Sequence, residues 1–333
     1  MKKQTIIIFG ILAVITFSCK KETNTSGWVA INTGLPANTW VSSIVENGDN
    51  IFAGTGDIVT GIGGNGVYLS QNNGNNWSTV DSGLPKNSVI RALAISGSKI
   101  FAAPNDSIHG YGVYVSSNNG HDWSAVDSGL LIPVTPVEAL GISDNSIFAG
   151  TFVHGMFLSS NNGLCWSAVN NGLPLLTQFM VYSFAISGSN IFAGTNSGVY
   201  SYSKNESNWK PVSNGLPANS LIYSLAISGS NIFAGICGNG VFISSDNGSS
   251  WKAVNIGLPA NVWGNTLAIY GNKIFVGTQG NGVYMSSNNG NSWTNVNTGI
   301  PANTIVKCIA CDNTYAYIGT ISKGIYRRLL SSF

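Results

Sequence analysis

The sequence predicts an all-β fold: a single seven-bladed β-propeller of four-stranded antiparallel blades, in which an N-terminal strand at 28–31 completes the last blade. Three observations lead there. A tryptophan recurs at Trp28, Trp77, Trp123, Trp166, Trp209, Trp251 and Trp293, close to the roughly 40–45-residue period of a propeller blade. Four short runs of aliphatic, β-branched and aromatic residues fill each interval, set apart by Gly or Ser-Gly pairs, as strands joined by tight turns require. The first three runs occur seven times after residue 40, but the fourth follows only six of them. The missing copy stands at the other end of the chain, at 28–31. A ring closed by pairing the two ends leaves no bare blade edge where first meets last.

Composition fits a turn-rich β protein. The chain has 333 residues, enough for one large all-β domain or two smaller ones. Charged residues make up 8% and glycine numbers 41, against about 25% charged in an average globular domain. Lys2 and Lys3 belong to a leader; 15 basic residues less these two leaves 13 against 13 acidic ones, a net charge of zero. With no basic stripe to hold a phosphate backbone, nucleic acid is not an expected partner.

Residues 1–18 read as that leader. Met1-Lys2-Lys3 is a positive start, and 5–17 is an apolar run too short for a comfortable membrane span. Cys19-Lys20-Lys21-Glu22 follows. This resembles a bacterial lipoprotein signal, similar to those of the Bacteroidetes group. The resemblance implies cleavage before Cys19, a lipid on Cys19, and attachment to the outer membrane, facing the periplasm or the cell surface. The competing reading is an ordinary secretory signal with an incidental cysteine. Residues 19–26 form a polar tether, and the propeller is expected over 27–330.

The unit at 225–254 shows the four runs plainly. They are Leu225-Ala226-Ile227-Ser228, Asn231-Ile232-Phe233-Ala234-Gly235, Gly240-Val241-Phe242-Ile243-Ser244 and Trp251-Lys252-Ala253-Val254, closing on Gly-Leu-Pro. Between the third and fourth runs lies Ser-x-Asn/Asp-x-Gly-x-x-Trp, at 70–77, 116–123, 159–166, 244–251 and 286–293, with a worn copy at 202–209. Asn and Asp side chains bond nearby backbone in turns, Gly takes positive φ freely, and Trp buries a large apolar surface. This pattern resembles the Asp-box, or bacterial neuraminidase repeat. Asp246 supplies the family's Asp, whereas Asn72, Asn118, Asn161 and Asn288 replace it. The resemblance implies a structural hairpin turn rather than a catalytic motif. Its relatives include sialidases, xyloglucan-cleaving glycosidases, sortilin-type receptors and the photosystem II assembly factor, the last being closest in style.

The cysteines point to no cofactor. Cys308 and Cys311 have the spacing of a redox or metal pair, but in a strand positions three apart face opposite ways. Cys165 lies in a turn and Cys237 in a loop; His109, His121 and His154 are not clustered in sequence. Unpaired thiols and no metal site are expected.

In a propeller the turns between third and fourth strands lie on one face. The opposite face carries the loops between second and third strands and between blades, around the channel mouth. One column on that face varies from unit to unit: Ser42, Arg91, Glu138, Tyr182, Tyr223, Asn265 and Lys307, each two residues before the aliphatic residue of the first strand. Either this is a functional rim, or a solvated position that drifts. Trp40 and Trp263 precede the first strand, and Asp57 and Asp106 fall in the loops at 56–61 and 105–109. Aromatics beside amides and carboxylates stack and hydrogen-bond sugar rings; the alternative is that both tryptophans pack between blades.

The relatives include enzymes, so catalysis needs weighing. The sialidase resemblance implies three converging arginines and a Tyr nucleophile backed by a Glu. Only Arg91, Arg327 and Arg328 exist here, and the adjacent pair must face opposite ways in a strand. A glycosidase needs two carboxyl groups about 5–9 Å apart, for which Asp57, Asp106 and Glu138 are the candidates. The favoured expectation is a non-catalytic binding or assembly module of the cell envelope, presenting the mouth face to a protein partner or a glycan. The alternative is a glycan-binding protein or glycoside hydrolase of sialidase-like fold without the arginine triad.

Overall fold

A strand that is apolar on both faces needs a neighbour on each side, because successive side chains point opposite ways. The second run of each unit is such a strand. In the computed structural model, which describes residues 26–56, 64–106, 110–130, 136–174, 179–203, 205 and 207–333, Asn50–Thr55 and its equivalents are buried almost throughout. Each sits mid-sheet with a blade on either side, and seven antiparallel sheets form the ring. The leader at 1–18, Cys19 and Asp57 lie outside the described residues.

Blade one shows the order: Val41–Asn47, Asn50–Thr55, Val67–Ser70 and Ser78–Thr79, from the axis outward. The apolar side chains gather into seven clusters, one in each gap between successive blades. The seam is built like the other gaps: Tyr317 and Ile325 of blade seven pack with Val41 and Ile44 of blade one. Blade seven is Val306–Cys311, Tyr315–Thr320 and Ile325–Leu329, completed by Val29–Ala30. Val29 pairs with Arg327 and Ala30 with Tyr326, antiparallel, as the count of fourth strands predicts.

The tryptophans form a belt. All seven are at most 5% exposed, and each indole N–H donates to a carbonyl of the preceding blade. The acceptors are Ile31 (for Trp77, across the seam), Val80, Val126, Val169, Val212, Val254 and, for Trp28, Val296, at 2.6–2.8 Å. Each acceptor lies three residues beyond its own blade's tryptophan, so every blade holds one neighbour and is held by the other. A buried indole N–H left unpaired would cost the desolvation of the group; here none of the seven is. The glycine of Gly-Leu-Pro makes the fit possible. At Gly257, φ is +92° and a Cβ would stand 2.1 Å from the Trp293 carbonyl oxygen of the next blade.

The Ser-Asn turns close the third and fourth strands on the face away from the mouth. In the last of them, Ser286 Oγ accepts from Gly290 N (2.9 Å) and Asn288 N (3.3 Å). Asn288 Oδ1 in turn accepts from Ser286 Oγ (2.8 Å) and Ser292 N (3.0 Å). Asn289 takes positive φ at 57° and Gly290 at 80°. Asp246 makes the same set of bonds from its carboxylate, so Asn and Asp are equivalent as acceptors here.

Two blades depart from the common plan. In blade four, where the turn sequence is worn, Gly198–Ser203 pairs with a longer fourth strand, Asn208–Pro211. In blade two the second strand, Lys99–Asp106, extends past its equivalents and pairs with an extra strand, Gly110–Tyr111. Blade two therefore has five strands rather than the expected four. Asp106, expected in a rim loop, lies by its backbone in that strand; its side chain is outside the described residues.

Candidate functional site

First strands run side by side around the axis, and that of blade seven meets that of blade one. Every first strand carries the same irregularity near its mouth end. The pairing with the second strand skips one residue, between Val41 and Ser43, Ile90 and Ala92, Val137 and Ala139, Val181 and Ser183, Ile222 and Ser224, Gly264 and Thr266, and Val306 and Cys308. The skipped residues are Ser42, Arg91, Glu138, Tyr182, Tyr223, Asn265 and Lys307, the variable column. A β-bulge leaves its extra residue out of the ladder and re-aims its side chain. Here the seven bulges aim at one place. All seven residues, with Trp263 and Gln279, line a cavity of about 330 Å³ at the mouth of the channel.

The lining divides into three arcs. On blades two and three, Arg91 Nη1 donates to Glu138 Oε2 at 2.9 Å. The Asn105 amide oxygen, turned toward Arg91, accepts from Nε (2.9 Å) and Nη2 (2.8 Å). Each of the three Arg91 guanidinium nitrogens is thus bonded. Glu138 is only partly bonded: its Oε1 is buried with no hydrogen-bond partner among the described residues. Burial raises the Glu138 carboxyl above its ordinary range, with Arg91 and then Lys307 holding it down.

On blades four to six the lining is aromatic. The rings of Tyr182 and Tyr223 meet edge to face at 5.1 Å, and Tyr223 lies 6.2 Å from Trp263 at a shallow tilt. Trp263 is 39% exposed and lines the cavity. Burial raises both phenols, Tyr223 to about 12 with help from the neighbouring Cys237 thiol. Tyr182 donates to Met180 Sδ at 3.1 Å.

Blades six, seven and one complete the ring with amides, an ammonium and a hydroxyl. Asn265 Nδ2 donates to Gln279 Oε1 at 2.8 Å. The Ser42 hydroxyl is turned back onto the carbonyls of Gly54 and Ile90. Lys307 is half-buried and lines the cavity, making no hydrogen bond or ion pair with the described residues. Burial lowers its pKa, and Arg91 lowers it further, against the opposing pull of Cys308 and Glu138.

The other expected site residues fall elsewhere. Trp40 is half-buried at the seam beside Ile321 and Lys307, next to the main cavity rather than in it. The two tryptophans therefore divide: Trp263 faces the cavity and Trp40 packs between blades. Arg327 stacks on Tyr315 and reaches the Asn73 carbonyl, whereas Arg328 is buried against Phe333, Ser332 and the Val296 carbonyl. Neither approaches Arg91. Cys165, Cys237, Cys308 and Cys311 are unpaired thiols.

Sequence reasoning missed a second variable column, the residue that follows the core of the second strand. It holds Gly56, Asn105, Phe152, Asn196, Cys237, Gln279 and Ile321. In blades two, five and six it supports the bulge residue of its own blade: Asn105 with Arg91, Cys237 with Tyr223, Gln279 with Asn265. The signal was present as departures from Phe-Ala-Gly-Thr, above all Phe-Ala-Ala-Pro-Asn at 101–105.

The family described as DUF6242 beta propeller domain matches residues 180–321. No curated protein matches the chain. Among solved structures, the extracellular domain of the two-component system BT4673 from B. thetaiotaomicron superposes with a TM-score of 0.70 at 17% identity, covering 89% of this chain. This chain spans only 39% of that one. YCF48 bound to a D1 peptide superposes with a TM-score of 0.69 at 13% identity, covering 91% of this chain and 96% of that one. A GH74 xyloglucanase from Xanthomonas campestris gives 0.72 at 14% identity, covering 92% and 54%. At these identities the likeness is one of fold: this chain is built like propellers that include both an enzyme and a peptide-bound protein.

Proposed function

We propose that the protein is a non-catalytic binding module whose ligand enters the channel mouth. One observation carries this reading: seven chemically different side chains, released from the sheet by seven equivalent bulges, surround a single cavity. Small-molecule sites run from about 300 Å³ upward, with apolar walls and a few placed polar groups. Hydrolysis is the weaker reading. Glu138 is engaged by Arg91, and the mouth phenols are raised rather than lowered, the opposite of what an attacking tyrosine needs.

The finer assignments rest on sequence. The hydrogen bonds of the Ser-Asn turns support reading them as Asp-boxes with a structural role. The Cys19 motif supports a lipid-anchored protein of the outer membrane, which sets the mouth before a glycan or protein of the cell envelope.

The full chain, screened on a glycan array and against a metabolite panel by thermal shift, is expected to show a ligand whose stabilisation disappears in Trp263→Ala and Asn265→Ala. A ligand at 100 times its Kd stabilises by about 2.7 kcal/mol. Turnover of any glycoside, abolished by Asp57→Asn or Glu138→Gln, would make the protein a hydrolase. Binding that survives every mouth substitution would move the site elsewhere.

A further inference from the structure

The mouth holds two opposite charges that are not satisfied by each other. Glu138 presents a carboxylate oxygen, Oε1, with no partner among the described residues. Lys307 presents an ammonium to the same cavity. The two influence one another electrostatically, yet the ion pair at the mouth is Arg91 with Glu138, not Lys307 with Glu138. Buried polar atoms left unpaired cost about 1–3 kcal/mol each, more when charged. A ligand cation that meets Glu138 Oε1 recovers that penalty, and an anionic group on the same ligand gives the Lys307 ammonium a counter-charge.

We propose that the cavity takes a small zwitterion with a ring side chain, an aromatic α-amino acid in its free form. This deepens the binding-module reading and rests on it. The ligand ammonium donates to Glu138 Oε1, and the ligand carboxylate accepts from Lys307. Gln279 lies beside Lys307 in ring order, and its oxygen is occupied by Asn265, which leaves its amide N–H groups to bond the same carboxylate. The ring side chain lies against Trp263, which lines the cavity, is 39% exposed and is backed by Tyr223. The cavity of about 330 Å³ suits one such molecule and not a chain of sugar rings. Arg91 takes no direct part. All three of its guanidinium nitrogens are bonded to Asn105 or Glu138, so it fixes the carboxylate that receives the ammonium and is a positioning residue.

A neutral sugar ring would also stack on Trp263 and bond the amides. It would leave Lys307 without an anion and give Glu138 only a neutral donor. Charge-assisted hydrogen bonds are about twice as strong as neutral ones, which favours the zwitterion.

The test is a calorimetric comparison on the full chain with L-phenylalanine, phenethylamine, which lacks the carboxylate, and 3-phenylpropionate, which lacks the ammonium. L-phenylalanine is expected to bind at least about tenfold more tightly than either, the effect of one charged hydrogen bond. Lys307→Gln should erase the preference over phenethylamine and keep the preference over 3-phenylpropionate; Glu138→Gln should do the reverse. If Glu138→Gln fails to fold, the three ligands on the natural chain and on Lys307→Gln still decide. Equal binding of all three, or binding of none, overturns the proposal. If a saccharide binds instead and Trp263→Ala abolishes it, the mouth remains a binding site and only the ligand class is wrong. If no glycan and no metabolite binds at the mouth, the module reading falls with it.

Discussion

At the turn end of the propeller, Asn72, Asn118, Asn161, Asp246 and Asn288 each complete the same four hydrogen bonds. At the mouth end, Ser42, Arg91, Glu138, Tyr182, Tyr223, Asn265 and Lys307 occupy equivalent backbone positions and share no common partner. Both sets belong to the same blades, so the difference is not one of fold. Turn residues are tied into the joint between third and fourth strands, directly before the tryptophan that grips the neighbouring blade. Bulge residues are excluded from the ladder, and each meets the cavity with its own set of neighbours. Repetition persists where each blade must hold the next, and variety collects where the backbone lets a side chain go.

The contrast can be broken most sharply with two tryptophans. Trp209 is 1% exposed and its N–H is bonded to Val169, whereas Trp263 is 39% exposed. Trp209→Ala should cost about 3–5 kcal/mol in urea denaturation, as large-to-small changes of buried aromatics do. Trp263→Ala should stay within about 0.5 kcal/mol, as surface changes do. Trp28→Ala should match Trp209→Ala, since Trp28 closes the ring with the same bond to Val296. A mild Trp28→Ala would mean that docking of the N-terminal strand against blade six contributes little and that the belt is not continuous in energy.

Glycines sharpen the comparison at the next level down. Gly257→Ala places a Cβ against the Trp293 carbonyl at φ +92°, and should cost roughly 2–3 kcal/mol through strain and clash. Gly271 also has positive φ, at +58°, but nothing within 4 Å. Asparagine tolerates that conformation, so Gly271→Asn should cost a few tenths of a kcal/mol by the same measurement. Equal costs would show that φ alone, and not the approach of the next blade, demands glycine in Gly-Leu-Pro.

The mouth should respond to pH, and the sign follows from Glu138. Its folded pKa is raised from 4.5 by burial, while Arg91 is the largest of the influences holding it down. Below the unfolded value both states are protonated and the group is silent. As pH rises through the window up to the folded value, the unfolded chain releases its proton first and stability falls. Arg91→Ala removes the main restraint, so the window should widen upward and the loss at pH 7 should grow by about 1–2 kcal/mol. Adding Glu138→Gln should flatten that part of the profile. A profile unchanged by Arg91→Ala would mean that the ion pair does not stabilise the carboxylate.

These sites differ in how far they could be read in advance. The blade period, the count of fourth strands and the need for seven blades followed from where Trp and the apolar runs recur. Those features are short stretches of sequence that recur from unit to unit. The seven rim positions could also be found, because comparison among copies exposes the one column that changes. Their physical origin could not. A bulge is a statement about pairing between two strands, and no single strand records its own register. The orientation of Trp263 toward the cavity and of Trp40 toward the seam was equally hidden, since both precede a first strand and differ only in what the neighbouring blade offers them. Asn105 stayed unseen for a related reason: its partner, Arg91, lies on a different strand, and the extension of Lys99–Asp106 that carries it occurs in blade two alone.

The smallest expected effect lies at the turn end, where repetition itself makes a prediction. Asp246 stands in the one turn of the five with a carboxylate. Its pKa is lowered to about 2, chiefly by the hydrogen bond from the Ser250 hydroxyl and then by Ser244. A depressed folded pKa gives stability that is present above the ordinary value of 3.8 and lost as pH falls toward about 2. The turns with Asn keep their acceptor at any pH, and Asn288 turns its amide nitrogen onto Ser292 Oγ at 2.9 Å, the counterpart of the bond that Ser250 Oγ gives Asp246. Asp246→Asn should therefore leave the melting temperature at pH 7 essentially unchanged and remove a small acid-dependent decline between about pH 4 and pH 2. A clear loss at neutral pH would show that the charge, rather than the acceptor oxygen, holds this turn, and the equivalence of its five copies would then fail in blade five.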